Sequence, residues 1–198
     1  MALSHKGRAD QALGLVAWPT ADFVSDPQRA RVLRVLEQVI RLRLLDELRE
    51  GQAVTYSPIT GYQAAWVYPG YGYVSAAVEA PPEKLDGFFA DVRKIAAALK
   101  AAPPTADELD RAIKPRVEAL QRSQASNEYW LGELGGAQTD PRRLEAIRQA
   151  IPGLQKVTPA QVQAAARQYL ADDKAWRMVI RPEPRAGRAA AAASGGGT

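Results

Sequence analysis

One long amphipathic stretch sets the architecture that this chain can adopt. Between Asp26 and Glu50, the residues Val32, Leu33, Leu36, Val39, Ile40, Leu44 and Leu48 recur at three- and four-residue spacing. The spacing predicts a single helix. Ser25 or Asp26 is expected as its cap, Pro27 sits in its first turn, and Gly51 follows where a left-handed residue is expected. Arg29, Arg31, Arg34, Glu37, Gln38, Arg41 and Glu47 lie mainly off the stripe. A helix with one apolar stripe needs a second layer to bury it against.

Strands supply that layer. Residues 11–18 carry apolar groups on both faces, Leu13, Leu15 and Ala17 alternating with Ala12, Gly14, Val16 and Trp18. A strand apolar on both faces belongs inside a sheet, and Pro19 ends it. Residues 54–68 and 71–79 are expected to form a hairpin turning at Pro69 and Gly70. A last strand is expected over residues 176–180. Helices are predicted over 84–101, behind the capping box Thr105/Glu108 with a kink at Pro115, over 127–134 before Gly135 and Gly136, over 141–150, and from the Thr158–Pro159 cap to 171. The order reads as an α+β domain of two layers, a mostly antiparallel sheet with helices packed on one face. Residues 1–9 are expected to be a flexible N-terminus, 10–183 the domain, and 184–198 a disordered Ala/Gly-rich tail.

Composition removes several kinds of chemistry. The 198 residues contain no cysteine and one histidine, His5. A catalytic zinc normally takes three protein ligands, and a Ser-His-Asp or Cys-His centre needs a positioned histidine. His5, near the end of the chain, is expected to be a solvated residue. Gly132, Gly135 and Gly136 lack the Lys-Ser/Thr of a phosphate loop. The pairs Asp107/Asp110 and Asp172/Asp173 fall at caps and turns, where they complement helix dipoles. The net charge of +4 is mild, and part of it comes from Arg181, Arg185 and Arg188 near the tail. The aromatics Tyr62, Trp66, Tyr68, Tyr71 and Tyr73 lie in a stretch, 53–82, without Lys or Arg, which argues against a phosphate-tracking surface and for a peptide-binding wall or a domain interface. No apolar run reaches the roughly 18 residues of a membrane span, and the first ten residues are polar, unlike a secretory signal.

One segment carries a hint of chemistry. In Leu48-Arg49-Glu50-Gly51-Gln52-Ala53-Val54-Thr55-Tyr56-Ser57, Arg49 leaves a helix end and Tyr56 begins a strand seven residues on. A guanidinium orients carbonyl or carboxylate oxygens, and a phenol can donate to a developing oxyanion. Spacing alone favours structural roles, with Arg49 on helix-end carbonyls and Tyr56 packed on the strand.

Leu-Arg-Glu, a short gap and Tyr-Ser are similar to a segment in the C-terminal half of pitrilysin/insulinase-family zinc metallopeptidases. Asp10-Gln11-Ala12 leading into Leu15-Val16-Ala17-Trp18-Pro19-Thr20, Arg41-Leu42-Arg43-Leu44, and Asn127-Glu128-Tyr129-Trp130-Leu131 resemble the family's bacterial members. The resemblance spans residues 6–182. It implies the repeated α/β domain of this family and of the mitochondrial processing peptidase, in its non-metal-binding, C-terminal form, since the inverted motif His-x-x-Glu-His is absent. It further implies a zinc ion held by another domain or subunit, hydrolysis of peptide bonds by metal-bound water, and a periplasmic location. Tyr56 would stabilise the tetrahedral intermediate, and Arg49 would hold substrate backbone. Asn127 and Trp130 are expected to serve helix packing. Alone, the chain would bind no metal and cleave nothing. The alternative is a non-catalytic interaction subunit of the same fold.

Overall fold

The structure is a computed structural model that describes residues 1–50 and 58–183, excepting the side chains of residues 48–50. The expected tail over 184–198 and the beginning of the expected strand over 54–57 lie outside the described residues.

Five strands form one sheet: β1 (Ala2–His5), β2 (Ala12–Thr20), β3 (Ile59–Ala64), β4 (Gly72–Ala80) and β5 (Trp176–Pro182). Their order is β1-β5-β2-β4-β3. Only the β1–β5 pair is parallel; β2 runs antiparallel to both β4 and β5, as does β3 to β4. The two-faced apolar strand is therefore the centre of the sheet, as its pattern requires.

Seven α-helices complete the described chain: α1 (Pro27–Glu50), α2 (Leu85–Ala101), α3 (Ala106–Ser123), α4 (Asn127–Ala137), α5 (Arg142–Arg148), α6 (Ala150–Gln155) and α7 (Pro159–Tyr169). Asp26 is the cap of α1, since its side chain accepts the Arg29 amide at 2.9 Å. Helices α1, α2 and α7 lie on the sheet face presented by Ala12, Val16 and Trp18 of β2 and by Val74, Ala76, Val78 and Ala80 of β4, all buried. Leu33, Leu36, Val39 and Leu44 of α1 interlock there with Leu85, Phe88, Val92 and Leu99 of α2. The expected two-layer α+β domain is the observed one.

Five local expectations differ from what forms. Strand β2 does not end at Pro19 but runs through it to Thr20, where Pro19 and Thr20 still pair with Tyr73 and Gly72 of β4. Residues 1–9 contain strand β1: Ala2–His5 pairs with residues 179–182 of β5, and the Met1 ammonium donates to the Arg177 carbonyl at 2.8 Å. The hairpin strand stops at Ala64 because the Ala65 carbonyl accepts the Phe23 amide at 3.0 Å and Trp66 turns away to stack on Phe23, ring centroids 4.4 Å apart. Helix α4 runs through Gly135 and Gly136, and the missing side chain at 136 is used: a Cβ there would lie 2.7 Å from an Arg143 nitrogen. The expected helix 141–150 is two short helices that meet at Gln149.

Asp22 ties the start of α1 to the β3–β4 turn. Its carboxylate accepts the Ser25 amide at 2.7 Å, the Ser25 hydroxyl at 3.1 Å and the Gly70 amide at 2.7 Å, with Gly70 in the left-handed region at φ 71°. The Gly70 and Ser25 amides hold the Asp22 pKa down to about 2 from 3.8. A folded pKa below the unfolded one contributes stability above the unfolded pKa, and this is lost as pH falls through the folded pKa. Urea unfolding midpoints should therefore fall between pH 4 and pH 2, and Asp22→Asn should flatten that part of the profile while retaining one accepted bond.

Candidate functional site

The corner between α1 and β3 is where the sequence places Arg49 and Tyr56. Arg49 belongs to the last turn of α1, but its side chain, and Tyr56 altogether, lie outside the described residues. What the structure describes is the two flanks of the corner.

The helix flank is held from two sides. Arg43 donates to Glu108 through Nε at 2.7 Å and Nη2 at 3.2 Å, a two-point bond from α1 to α3. Glu108 also accepts the Thr105 amide at 2.8 Å, and the Thr105 hydroxyl accepts the Glu108 amide at 3.2 Å, closing the expected capping box. Burial pulls the Glu108 pKa up, but the bonds from Arg43 and Thr105 outweigh it and leave it lowered. From α2, Lys94 donates to both oxygens of Glu47, at 2.8 and 2.9 Å. This last pair is exposed and contributes little.

The strand flank is held by a buried charge. Glu37, only 2% exposed, accepts the Thr60 hydroxyl of β3 on one oxygen and the Gln38 amide at 2.8 Å on the other. Its position off the apolar stripe suggests a solvent-facing residue. It is buried instead because α1 packs against helices as well as strands.

The remaining chemistry-bearing candidates are structural. His5 is half-buried in β1; its Nδ1 accepts the Gly7 amide at 2.9 Å, which leaves Nε2 to donate to the Gln11 carbonyl at 2.8 Å. Both ring nitrogens are thus engaged, and no group of three or more His, Cys, Asp or Glu that could hold a metal ion occurs among the described residues. The described residues therefore offer no set of ligands that fits a zinc ion. Asp107 and Asp110 pair with Arg111 and Lys114 one turn on, at 3.7 and 2.6 Å, and Asp172 pairs with Arg177. Trp130 is 37% exposed, lies edge-on to Tyr129 and donates its indole N–H to the Gln124 carbonyl at 2.7 Å, so it ties α4 to the C-terminal end of α3 rather than to the core.

The hairpin aromatics divide between two surfaces. Tyr62 is buried and Trp66 half-buried on the helix side of the sheet. Tyr71 and Tyr73, edge-on to each other, lie with Leu15, Ala17, Pro19 and Trp176 around a depression of about 570 Å³ on the side of the sheet that these helices leave open. The sequence signal for that second face is the strict alternation of β2, in which Leu13, Leu15 and Ala17 are apolar yet only partly buried.

A sheet of this order, with helices against one face and no metal cluster among its described residues, defines a structural class of domain. Residues 2–115 match the family model described as the peptidase M16 inactive domain, and the chain belongs to that family. This bears out its reading as the inactive, C-terminal type of domain of a peptidase family. A search of curated proteins finds no significant match. The fold is similar to that of a peptidase M16 inactive domain from Pseudomonas fluorescens, with a TM-score of 0.75 at 24% identity over 92% of this chain and 43% of that one. It is similar to a candidate zinc protease from Bordetella pertussis Tohama I, with a TM-score of 0.71 at 15% identity over 88% of this chain and 94% of that one. It is also similar to the periplasmic protease PqqL from Escherichia coli, with a TM-score of 0.71 at 16% identity over 92% of this chain and 20% of that one. The chain thus spans less than half of the Pseudomonas and Escherichia proteins.

The buried Glu37–Thr60 contact yields a stability test. Thr60→Val keeps the shape of the side chain but removes one donor from the Glu37 carboxylate, which should cost about 1–3 kcal/mol in urea unfolding. Thr60→Ser, which keeps the hydroxyl, should recover most of that loss.

Proposed function

We propose that this chain forms one wall of a zinc-dependent peptidase and supplies Arg49 and Tyr56 to peptide hydrolysis, with the zinc ion held by another domain or subunit. The observation that carries the proposal is the way both flanks of the corner are fixed. Thr60 is bonded to Glu37, and at about 1.5 Å per residue Arg49 lies about 18 Å further along α1. The four residue steps from Tyr56 to Thr60 span at most about 13 Å when extended. The remaining gap is within the combined length of an Arg and a Tyr side chain. The Arg43–Glu108 bond holds the C-terminal part of α1, the helix to which Arg49 belongs.

In this reading the Tyr56 phenol donates to the oxygen that gains charge as the peptide carbonyl is attacked, and the Arg49 guanidinium holds the neighbouring substrate carbonyl. Neither residue is a metal ligand. Membership of an inactive-domain family supports a division of labour in which the chain has no activity by itself. Some solved relatives are more than twice as long as this chain, which leaves room in them for a further unit. The open sheet face with Leu15, Tyr73 and Trp176 is a surface that such a unit, a zinc-bearing peptidase domain, would cover.

The same open face also favours a second reading, a non-catalytic subunit of the same fold that only scaffolds its partner. A periplasmic location is proposed from the resemblance, and PqqL is described as periplasmic. No described helix is long and apolar enough to cross a membrane.

Reconstitution with the zinc-bearing counterpart separates the two readings. Tyr56→Phe should lower kcat about 100-fold or more, with partner binding and thermal unfolding unchanged. Arg49→Ala should lower kcat/KM by a similar order. Unchanged turnover in both variants, with the partner still dependent on this chain, would leave the scaffold reading.

A further inference from the structure

A second cavity, of about 380 Å³, lies on the helix side of the sheet beneath edge strand β3. Its walls come from α1, β3 and α3 to α6. One wall is aromatic. Phe23 and Trp66 stack at its mouth-lining edge, and Tyr62 closes it from β3. Leu154 adds an aliphatic floor. The charged lining groups are mostly cationic: Arg31, Arg34 and Arg116 stand against one lining carboxylate, that of Glu133.

These arginines are not spent on internal partners. Among the described residues, Arg34 and Arg116 have no recorded hydrogen bond or ion pair, and Arg31 gives one N–H to the Ala146 carbonyl at 3.2 Å. Arg31 and Arg34 rest instead on aromatic faces, 5.8 Å from the Phe23 centroid and 4.9 Å from the Tyr62 centroid. Gly153 makes room for the first of them, since a Cβ there would lie 2.6 Å from Arg31 Cδ and Nε. The buried carboxylate of Glu37 is already taken up by Thr60 and Gln38. Desolvation lowers the pKa of Arg31 and of Arg116, and for Arg116, exposed as a side chain overall, the charge of Arg34 lowers it further. Two like charges thus stand close together, offset in part by the carboxylates of Glu37 toward Arg116 and of Glu145 toward Arg31.

An independent observation points the same way. Tyr62 is 7% exposed, lines the cavity, and its hydroxyl is buried with no hydrogen-bond partner. A buried hydroxyl without a partner costs on the order of 1–3 kcal/mol. An anion bound among the arginines would give it an acceptor once a side-chain movement opens the hydroxyl, which is sealed from the cavity as it stands. A bare phosphate would satisfy the guanidinium groups but make no use of the apolar part of the lining, to which Phe23, Trp66 and Leu154 belong. The volume lies at the small end of the range of roughly 300–1,000 Å³ found for ligand sites, enough for one or two amino-acid residues.

We propose that this cavity binds a carboxylate carried on an apolar body, the chemistry of the C-terminal residue of a peptide, with Arg34 and Arg116 holding the carboxylate and the Tyr62 hydroxyl donating to it. The site is separate from the Arg49–Tyr56 corner, and its test needs no turnover, so either assignment can fail alone.

The full 198-residue chain is titrated calorimetrically with N-acetyl-phenylalanine, N-acetyl-phenylalaninamide, inorganic phosphate and the tetrapeptide Ala-Ala-Ala-Phe. The acid and the tetrapeptide should bind with comparable affinity, and the amide and phosphate at least tenfold more weakly. Arg34→Gln and Arg116→Gln should each weaken binding of the acid at least tenfold. Tyr62→Phe should weaken it severalfold without lowering the thermal midpoint. If Arg34→Gln fails to fold, Arg116→Gln on the exposed face of α3 gives the same reading. The proposal is overturned if no acid binds, if the amide binds as well as the acid, if phosphate binds as tightly, or if the arginine variants keep full affinity. A tetrapeptide at least tenfold weaker than the free acid would also overturn it, in favour of a small-molecule acid.

Discussion

The buried carboxylate of Glu37 is the contact on which the rest of the helix side depends. A charge that is 2% exposed must be met by hydrogen bonds or it destabilises the fold by several kcal/mol. Thr60 and Gln38 meet it. Because side chains alternate along a strand, a one-residue slip of β3 would carry Thr60 to the opposite face and leave Glu37 with one partner fewer. The contact therefore fixes the register in which Ile59 to Ala64 pairs with β4. It also fixes where Tyr62, two residues on and on the same face, meets α1. One polar contact in an apolar layer thus positions the β3 wall of the arginine-lined cavity.

The two ends of α1 use charge differently. Toward the C-terminus, Arg43 and Glu47 are joined to acidic and basic residues of α3 and α2, and the helix is held by ordinary ion pairs and a cap. Toward the N-terminus, Arg31 and Arg34 lie on aromatic rings and carry positive charge into a partly apolar recess. The first arrangement braces the helix internally. The second leaves binding capacity unused. Asp22 holds the loop before α1 against the Gly70 turn and so keeps Phe23 in place beside Trp66.

Sequence periodicity made the helix layer legible because each apolar stripe is local: Val32 to Leu44 in α1, Leu85 to Leu99 in α2, and the Thr105/Glu108 box of α3 are all read within a few residues. The central place of β2 followed from its two apolar faces. What periodicity missed depends on distant partners. Strand β1 is four residues long and polar, and its partner in β5 lies some 177 positions away. The early end of β3 depends on Trp66 meeting Phe23, and the burial of Arg31 and Glu37 depends on helices packing around α1. The corner containing Arg49 and Tyr56 was singled out by family likeness, since spacing alone favoured ordinary packing for both residues. The arginine-lined cavity had no sequence signature, because its members come from six separate elements.

The position of β5 has a consequence for how such a chain comes to be folded. Strands β2, β4 and β3 can assemble with α1 once the first 80 residues are available. The other edge of β2 must wait for residues 176–180, which are the last of the described strands in chain order. Until then β2 presents a full row of open amides and carbonyls, and β1 has nothing to pair with at all. A ribosome-bound or truncated chain lacking the final strand would carry an adhesive edge through its middle.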